Sequence, residues 1–414
     1  MELPPPARTI SGVIRGRVVL PMGAAAIDGG WLRIDRGRIV AVGRGRPSEP
    51  CLDLGEVILA PGLVNPHCHL EFSDLACPLE APGGLAGWIP GVVAARRDRP
   101  ADATAAAIRR GLVESAAAGV TLVGEIASDA TGGDPASDLP AMRRYRECLG
   151  LGDDAAARGR RAIGEVDRLP DSVLAGLSPH APYSVSAALG RELIGAARRR
   201  GLPVQMHLGE SPDEAELLAG GSGPFRSMLE SLGAWPSPPP VLLSAAEWIG
   251  RLARCSRGAV IHAGFLDDDA LARLAGHADR LGVVVCPRTA RRLTGRLPPI
   301  ERLRGAGLRL AVGTDSRASN PDLDPRRDAG ELVAAGLVTP AEAVRMITTH
   351  AAWMLAMDRV AGRIAPGMPA DLAVFAPRRF SDDPHEDLLD TETGLVAAFR
   401  RGRRLAVATA GSWR

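Results

Sequence analysis

The stretch that decides the fold is Ala60-Pro61-Gly62-Leu63-Val64-Asn65-Pro66-His67-Cys68-His69. In it a short apolar run leads into two histidines that are separated by a single residue. Residues two apart in an extended segment point to the same side, so both imidazoles can converge on one metal ion. By itself this pair is a weak signal, because two unrelated loop histidines give the same pattern.

The same alternation of short apolar runs and longer Ala-, Leu- and Arg-rich stretches continues to about residue 350. It predicts repeated βα units, because the longer stretches have a helical period. The predicted strands are residues 62–65, 119–126, 142–150, 174–178, 203–207, 259–262, 283–286 and 309–313. Charges break the third of these runs. The predicted helices include residues 102–117, 153–169, 186–200 and 268–281. Eight units over roughly 290 residues are typical of a TIM barrel.

The two ends of the chain have a different pattern. Residues 10–60 contain short β-like runs with Gly turns between them, and residues 362–375 and 395–408 return to that pattern. The sequence therefore predicts an α/β protein, a (β/α)8 TIM barrel with a small composite β-sandwich formed from both ends. The predicted boundaries are residues 1–60 and 356–414 for the β-sandwich and residues 61–355 for the catalytic barrel.

Composition limits the functions to consider. The chain has 414 residues, 46% hydrophobic and 24% charged, and its net charge of +2 is spread out, which argues against nucleic-acid binding. No apolar run is long enough to span a membrane. The N-terminus lacks the pattern of a signal peptide, and the six cysteines are scattered as in proteins with reduced thiols. We therefore expect a cytoplasmic protein that acts on a small-molecule substrate.

Polar residues of catalytic type follow five of the predicted strands. They are His67 and His69 after the first strand, His180 after the fourth, His207 and Glu210 after the fifth, His262 after the sixth and Asp315 after the eighth. Each has a structural alternative: a buried structural histidine, an acid at a helix N-terminus or a turn aspartate. Active sites of TIM barrels lie at the carboxyl ends of the strands. The joint order therefore favours a metal-dependent hydrolase.

These motifs resemble those of the amidohydrolase superfamily over nearly the whole chain. The resemblance includes the opening stretch, Gly313-Thr314-Asp315-Ser316 and the segment from Gly362 to Leu372. It is strongest for the branch that contains cytosine, guanine and adenosyl-type deaminases and chlorohydrolases. In that branch, too, a histidine stands 27 residues before the ligand that corresponds to His207, and a glutamate three residues after it.

The resemblance implies a set of site residues. Four of them, His67, His69, His207 and Asp315, would bind one divalent metal ion, which is zinc in many members and iron in some. Glu210 and His262 would move protons, and His180 and Glu210 would contact the substrate. Binuclear members often bridge two metals with a carboxylated lysine. All 50 basic residues of this chain are arginines, which supports a single ion. The branch often forms dimers, so a homodimer is compatible with the resemblance.

The residue types fit one mechanism. A bound divalent ion lowers the pKa of water to about 7. Asp315 can ligate the ion and accept a hydrogen bond from that water, while His262 orients it. The water attacks an sp² carbon that carries an amino group, and Glu210 passes a proton to the ring nitrogen or to the departing ammonia. Each acid–base role is worth about 10²–10⁴-fold in rate.

The substrate is less sharply indicated. Residues 65–75, 221–226 and 286–289 resemble aminofutalosine deaminases and deaminases of adenosyl thioethers. The chain departs from them at Thr289-Ala290-Arg291 and at Asp324-Pro325-Arg326-Arg327. We expect a 6-aminopurine nucleoside, with guanine, cytosine or s-triazine substrates as the alternative and a non-enzymatic barrel as the alternative from another class. The role of Glu71 stays open, and Trp88 fits packing better than substrate contact.

Overall fold

The computed structural model describes residues 8–97, 99–128, 135–170 and 172–407. Both outermost parts of the predicted β-sandwich, residues 1–7 and 408–414, lie outside the described residues. No helix in the described ranges is both long and apolar enough to cross a membrane.

Strands occupy both the ends and the middle of the chain. They are β1 Gly12–Arg15, β2 Val18–Val19, β3 Ile27–Asp28, β4 Gly30–Asp35, β5 Arg38–Arg44, β6 Cys51–Asp53, β7 Ile58–Pro61, β8 Leu63–His69, β9 Val120–Ala127, β10 Ala141–Cys148, β11 Leu174–Pro179, β12 Val204–Leu208, β13 Gly258–His262, β14 Leu281–Val285, β15 Leu310–Val312, β16 Asp315–Ser316, β17 Leu372–Ala376, β18 Gly394–Arg400 and β19 Arg403–Arg404.

Helices fill most of the connections. They are α1 Leu85–Arg96, α2 Ala101–Ala117, α3 Ala155–Asp167, α4 Ala187–Arg200, α5 Pro212–Gly220, α6 Pro224–Ser231, α7 Ala245–Leu252, α8 Asp268–Ala275, α9 Pro287–Thr294, α10 Ile300–Gly305, α11 Pro325–Ala334, α12 Pro340–Met346, α13 Thr349–Met354 and α14 Pro384–Leu389. Side-chain caps begin several of them. Ser244 and Glu247 form a capping box at α7, and Thr339 and Glu342 form one at α12.

The central sheet is parallel and closes on itself. Strands β8 to β15 pair in chain order, and β16, which continues the path of β15, pairs with β8. The eighth barrel strand is therefore interrupted at Gly313 and Thr314, and its two pieces lie at the two edges of the sheet. This gives the TIM-like barrel that the βα pattern predicts, with all eight predicted strands present.

A side-chain pair joins the barrel at this seam. The amide of Asn65 donates from Nδ2 to Oγ1 of Thr314 at 2.8 Å, and its Oδ1 accepts from the backbone N–H of Thr314 at 3.2 Å. Gly313 is required at the same place, because a Cβ there would lie 2.9 Å from the carbonyl oxygen of His67. The seam therefore brings the first and eighth strands close together directly beside the histidine pair.

Several predicted elements differ from the structure in their bounds or their burial. The first barrel strand runs on to His69, so the histidine pair lies within the strand. The third forms in spite of its charges, since Arg144, Arg146 and Glu147 are all buried in it. The predicted helix 268–281 is wrong at its C-terminal end. It stops at Ala275, before Gly276, and Leu281 pairs instead with Gly258 in the barrel ladder.

Two further sheets lie outside the barrel. One has the strand order β5-β4-β1-β6, and the other has the order β19-β18-β17-β7-β2-β3, so that strands from both ends of the chain pair in one sheet. A buried apolar cluster takes Ile14 and Leu32 from the first sheet and Leu59, Val374 and Phe399 from the second. Strand β7 leads directly into β8, the first barrel strand, whose carboxyl end carries His67 and His69.

Candidate metal centre and acid–base pair

The four predicted ligands meet at the carboxyl ends of their strands. Nε2 of His69 lies 3.4 Å from Nε2 of His207 and 3.6 Å from Oδ1 of Asp315. The same carboxylate oxygen lies 3.8 Å from Nε2 of His67. Three ring nitrogens and one carboxylate oxygen therefore gather at one end of the barrel, from strands that are far apart in the sequence.

This donor set fits a divalent metal ion. His67, His69 and Asp315 form one group whose ligand atoms lie within 4.8 Å of one another. His67, His207 and His262 form a second such group, and His69, Glu147 and His207 form a third. Nε2 of His67 is buried and has no hydrogen-bond partner. Imidazole nitrogens and one carboxylate are typical of zinc sites with an open position. The chemistry of the residues and the unpartnered ring nitrogen both agree with a resident ion.

Neighbouring groups fix the tautomers of two of these histidines. Nδ1 of His67 lies 3.0 Å from Oε1 of Gln205, whose Nε2 donates to the carbonyl of Pro66 at 2.8 Å. Nδ1 of His207 lies 3.1 Å from the carbonyl oxygen of His180. Because both partners accept, both rings donate through Nδ1 and carry a lone pair on Nε2. Gln205 was missed in the sequence, although its place two residues before His207 on the same strand was a signal.

Burial keeps the histidines neutral. It is the largest cause that lowers the pKa of His67 to about 3, followed by the charge of His207, and the pKa of His207 also falls to about 3. The pKa of His69 is well below its usual range for the same first reason. A metal ligand must be deprotonated, so the buried cluster holds its imidazoles in the state that binds an ion.

Glu210 and His262 form a second pair beside these ligands. Nε2 of His262 lies 3.3 Å from Oε1 of Glu210, and both side chains are buried. Burial, followed by the charges of Asp315 and Glu214, raises the pKa of Glu210 well above its usual range. Burial also lowers the pKa of His262 well below the usual value. Burial therefore favours the protonated form of the carboxyl group and the neutral form of the imidazole.

Glu214 holds the backbone of Glu210 in place. Its two carboxylate oxygens accept the N–H groups of Gly209 and Glu210, each at 2.9 Å, and Ser211 caps the helix α5 that carries it. Burial raises the pKa of Glu214 to about 7. This contact fixes the direction in which the Glu210 side chain leaves the main chain.

Three residues of the site have a left-handed backbone. The φ angles are 72° at His262, 52° at Ala263 and 58° at Asp315. Residues other than glycine adopt this region at a cost of about 1–3 kcal/mol each, and they do so mainly at functional sites. The strain turns the side chains of His262 and Asp315 toward the common centre.

The carboxylate of Asp315 has its own support. Oδ2 accepts a hydrogen bond of 2.6 Å from Oγ of Ser319, and that hydroxyl lies 3.0 Å from Oγ1 of Thr289. Burial raises the pKa of Asp315 to about 6. Thr289 is the first residue of the departure from related sequences, and it acts here as a partner in this hydroxyl pair.

His180 stands on the opposite side of the cluster from the Glu210–His262 pair. Its ring centroid lies 5.0 Å from that of His207, and its Nδ1 lies 2.5 Å from Oγ of Ser184. Nε2 faces Oε1 of Glu147 at 3.9 Å. Glu147 was missed in the sequence, and the charges that make the third barrel strand irregular were its signal.

The remaining candidates are accounted for by local contacts. Glu71 is buried and accepts a 2.6 Å ion-pair contact from Arg96, which also lies 3.7 Å from Glu147. Trp88 donates from its indole N–H to the carbonyl of Ala318 at 3.1 Å and packs against an apolar cluster. At the second departure Asp324 caps helix α11.

Comparison with known proteins agrees with this geometry. Residues 58–405 match the model of the amidohydrolase family. The chain therefore belongs to the amidohydrolase family, which confirms the resemblance seen in its motifs, and it is a hydrolase that acts on carbon–nitrogen bonds.

The relatives narrow the class further. A 5-methylthioadenosine/S-adenosylhomocysteine deaminase from Halobacterium salinarum is 30% identical over 87% of this chain and 83% of its own length. An aminodeoxyfutalosine deaminase from Deinococcus radiodurans is 32% identical over 66% of both chains.

Solved structures share the fold. An aminofutalosine deaminase from Helicobacter pylori, in complex with methylthio-coformycin, aligns with a TM-score of 0.82, 22% identity and coverage of 96% of this chain and 100% of that chain. The atrazine chlorohydrolase from Arthrobacter aurescens, complexed with zinc, aligns with a TM-score of 0.75 and 21% identity over 95% of both chains.

Proposed function

We propose that the protein is a metal-dependent hydrolytic deaminase that displaces ammonia from a 6-aminopurine nucleoside. The observation that carries the proposal is the Glu210–His262 pair at 3.3 Å, placed directly beside the convergent nitrogens of His67, His69 and His207. Names of the relatives support the substrate class, since they include deaminases of methylthioadenosine, adenosylhomocysteine and aminodeoxyfutalosine.

His67, His69, His207 and Asp315 would hold one divalent ion, for which we propose Zn²⁺, with Fe²⁺ as the alternative. Such an ion, when bound, lowers the pKa of water and supplies a nucleophile at neutral pH. The support for a single ion is that Nε2 of His69 lies within 3.6 Å of both Nε2 of His207 and Oδ1 of Asp315, and that no lysine exists in the chain to bridge a second ion.

Glu210 and His262 would provide the acid–base chemistry. The carboxyl group of Glu210, whose pKa is raised by burial, can donate a proton to the ring nitrogen next to the reacting carbon. That donation makes the carbon more electrophilic. Glu210 can then take a proton from the attacking water and deliver it to the departing amine. His262, neutral and 3.3 Å away, orients the water and stabilises the oxygen as charge develops on it.

His180 would contact the far side of the purine. It lines a cavity of about 380 Å³ together with apolar residues that include Ile89, Met228 and Trp235. A largely apolar cavity beside a hydrogen-bonding imidazole suits a nucleoside with an apolar 5′ substituent. A guanine, cytosine or s-triazine substrate is the alternative, because the same acid–base pair serves any ring carbon that carries an amino group.

The wider organisation completes the proposal. We propose residues 61–355 as the catalytic domain and residues 1–60 and 356–414 as a β-sandwich domain, supported by the apolar cluster that two sheets share. All six cysteines are unpaired, which supports a reducing compartment such as the cytoplasm. A homodimer remains a prediction of the resemblance.

The test combines metal analysis with ammonia release. Purified protein reconstituted with zinc or iron is assayed with aminofutalosine, adenosylhomocysteine, methylthioadenosine, adenosine, guanine, cytosine and a triazine. We expect about one ion per chain and turnover of a 6-aminopurine nucleoside. A Glu210→Gln variant should keep the ion and lose about 10²–10⁴-fold in kcat. Full activity of that variant, or turnover after complete removal of the metal, would contradict the proposed mechanism.

A further inference from the structure

A separate cavity begins at the acid–base pair and leads away from the metal ligands. It has a volume of about 270 Å³, and its inner end is formed by Glu210, His262 and Cys286. Ala290 and Leu293 of helix α9 form one wall, and Phe265 lies in the other. The mechanism described above uses the inner end of this space and none of the rest.

The need to protonate the leaving nitrogen determines which part of the substrate lies next to this cavity. A nitrogen that leaves a tetrahedral carbon must receive a proton as the bond breaks, so it must lie within hydrogen-bond reach of the acid. Glu210 is that acid under the proposed function, on which this inference rests. The leaving nitrogen therefore lies at the inner end of the cavity, and any group attached to it points into the cavity.

Two further cavities lie beside other strands. One contains His180, which follows β11, and the other contains Glu147 of β10, whereas His262 ends β13 on the other side of β12. They are available to the ribose and its 5′ substituent. The cavity at Glu210 is thus on the side of the leaving group, where an unsubstituted amino group needs no space beyond its own.

The walls are suited to carbon rather than to water. Ala290, Leu293, Leu297 and Pro298 offer no polar side-chain atom. The two hydroxyls in the lining are already engaged, since Oγ1 of Thr289 lies 3.0 Å from Oγ of Ser319 and Oγ1 of Thr294 donates to the carbonyl of Ala290 at 2.7 Å. Of the two arginines in the lining, Arg302 donates to the carbonyl of Leu266 at 2.6 Å, and Arg296 is exposed. An ordered water needs about two to four polar partners, so a short alkyl chain fills such a space better than water does.

The cavity also ends in a route to solvent. The guanidinium of Arg296, an exposed residue, lies 4.7 Å from the ring centroid of Phe265 at its outer end. Both residues belong to its lining. An amine that is larger than ammonia can leave past this pair without crossing the bound purine.

We propose that the protein also hydrolyses N6-alkylated aminopurine nucleosides and releases the primary alkylamine. A C–O bond forms between water and the ring carbon, and the C–N bond to the alkylamino group breaks. One proton of the water ends on the ring nitrogen of the 6-oxo product and the other, carried by Glu210, ends on the amine. No oxidant or reductant takes part.

The test compares an accepted nucleoside with its N6-methyl and N6-propyl derivatives. Zinc-loaded protein is assayed for the 6-oxo product, with ammonia, methylamine or propylamine measured in parallel. We expect kcat/KM for the N6-methyl compound within about tenfold of the unsubstituted one, because the cavity of about 270 Å³ has room for the added carbon. A loss greater than about 10³-fold for the N6-methyl compound overturns the inference.

A variant that fills the cavity tests the assignment, and the same substitution on the surface is its control. Ala290→Leu should lower kcat/KM for the N6-propyl compound by at least about tenfold and leave the unsubstituted compound and the metal content unchanged. Ala106→Leu, the same change at an exposed position of helix α2, should affect neither compound. If the Ala290→Leu variant has the wild-type kcat/KM for both the N6-propyl and the unsubstituted compound, the assignment of the cavity is contradicted.

Binding gives a readout that does not depend on turnover. A 6-propylpurine nucleoside carries a C–C bond that the enzyme cannot cleave, and it should inhibit the wild-type protein competitively. Inhibition should be weaker in Ala290→Leu by a similar factor. If the unsubstituted nucleoside is not deaminated, the proposed function fails. If it is deaminated and the N6-methyl compound is not, only the present inference fails, and the wild-type series decides this even if the variant does not fold.

Discussion

The carboxyl end of the barrel and the cluster between the two outer sheets are both buried, but the first contains polar and charged side chains and the second contains hydrophobic ones. The barrel end gathers His67, His207, Glu210 and Asp315, and it keeps ring nitrogens without hydrogen-bond partners. The apolar cluster between the sheets consists of hydrophobic side chains, with Phe399 fully buried among them. The barrel end has buried polar atoms that a ligand can contact, and the cluster between the sheets removes apolar surface from water.

The difference shows where this protein gives up stability and where it gains it. Buried polar atoms without partners cost about 1–3 kcal/mol each, and a left-handed non-glycine backbone costs a similar amount. Burial of a large apolar side chain stabilises by about 1.5–3 kcal/mol. Changes in the sheets should therefore affect folding, whereas changes at the barrel end should affect metal binding and turnover.

The largest effect is expected in the sheets. Phe399→Ala leaves a cavity in the shared cluster and should lower the free energy of unfolding by about 3–5 kcal/mol. Molecules that remain folded should keep their metal content and their kcat. Phe399 lies on β18 of the outer six-stranded sheet, whereas the acid–base pair belongs to the barrel sheet. Urea unfolding and ammonia release measure the two effects separately. A large fall in kcat of the folded fraction would contradict the division between the regions.

A smaller effect is expected behind the metal ligands. Gln205→Leu removes the acceptor 3.0 Å from Nδ1 of His67 and should weaken metal affinity by about 10–100-fold. Gln205→Glu keeps an acceptor and should recover most of that loss. Competition with a chelator gives the affinity, and urea unfolding of the metal-free forms gives the stability. Equal metal affinity in the Leu variant and the wild type would show that the ring needs no such support.

The smallest effect tests a titrating group in the region of the sheets. Burial raises the pKa of Asp371 to about 6, and its Oδ1 accepts a hydrogen bond of 2.6 Å from the backbone N–H of Arg401. The folded chain then binds this proton more tightly than the unfolded chain, so stability falls as pH rises from about 4 to 6. The change should be on the order of 1–2 kcal/mol, less than the full value for such a shift because the residue is partly exposed.

Asp371→Asn keeps the acceptor oxygen and removes the charge. The difference in unfolding free energy between the variant and the wild type should grow from pH 4 to pH 6 and stay constant above pH 7. Thermal or urea unfolding across that range measures it. A difference that does not depend on pH would mean that the carboxyl group has an ordinary pKa in the folded state.

Much of the site could be predicted because TIM-barrel architecture links sequence order to space. Each parallel strand ends at the same edge, so residues after different strands meet. The enzyme class predicted from that order and the family predicted from the resemblance of the motifs are confirmed, and the roles of the individual site residues remain predictions. The third strand showed no clear pattern, since its charges are satisfied only by partners from other parts of the chain, as Arg146 is by Glu165.

Some features depend on contacts that no local pattern encodes. The helix end at Ala275 was set by the pairing of Leu281 with Gly258, a residue of the neighbouring strand. Glu147 and Gln205 became visible as members of the site only when the barrel brought them beside His180 and His67.

By itself the sequence determined the repeated βα units, the order in which His67, His69, His180, His207, Glu210, His262 and Asp315 follow the strands, and the absence of lysine. These follow from local periodicity and residue type. Only the tertiary structure decided how the barrel closes at Asn65 and Thr314 and which histidine tautomers face the centre. It also decided that a cavity lies behind Glu210. The reason is physical: distances between residues remote in the chain, and the burial that shifts their pKa values, exist only in the packed molecule.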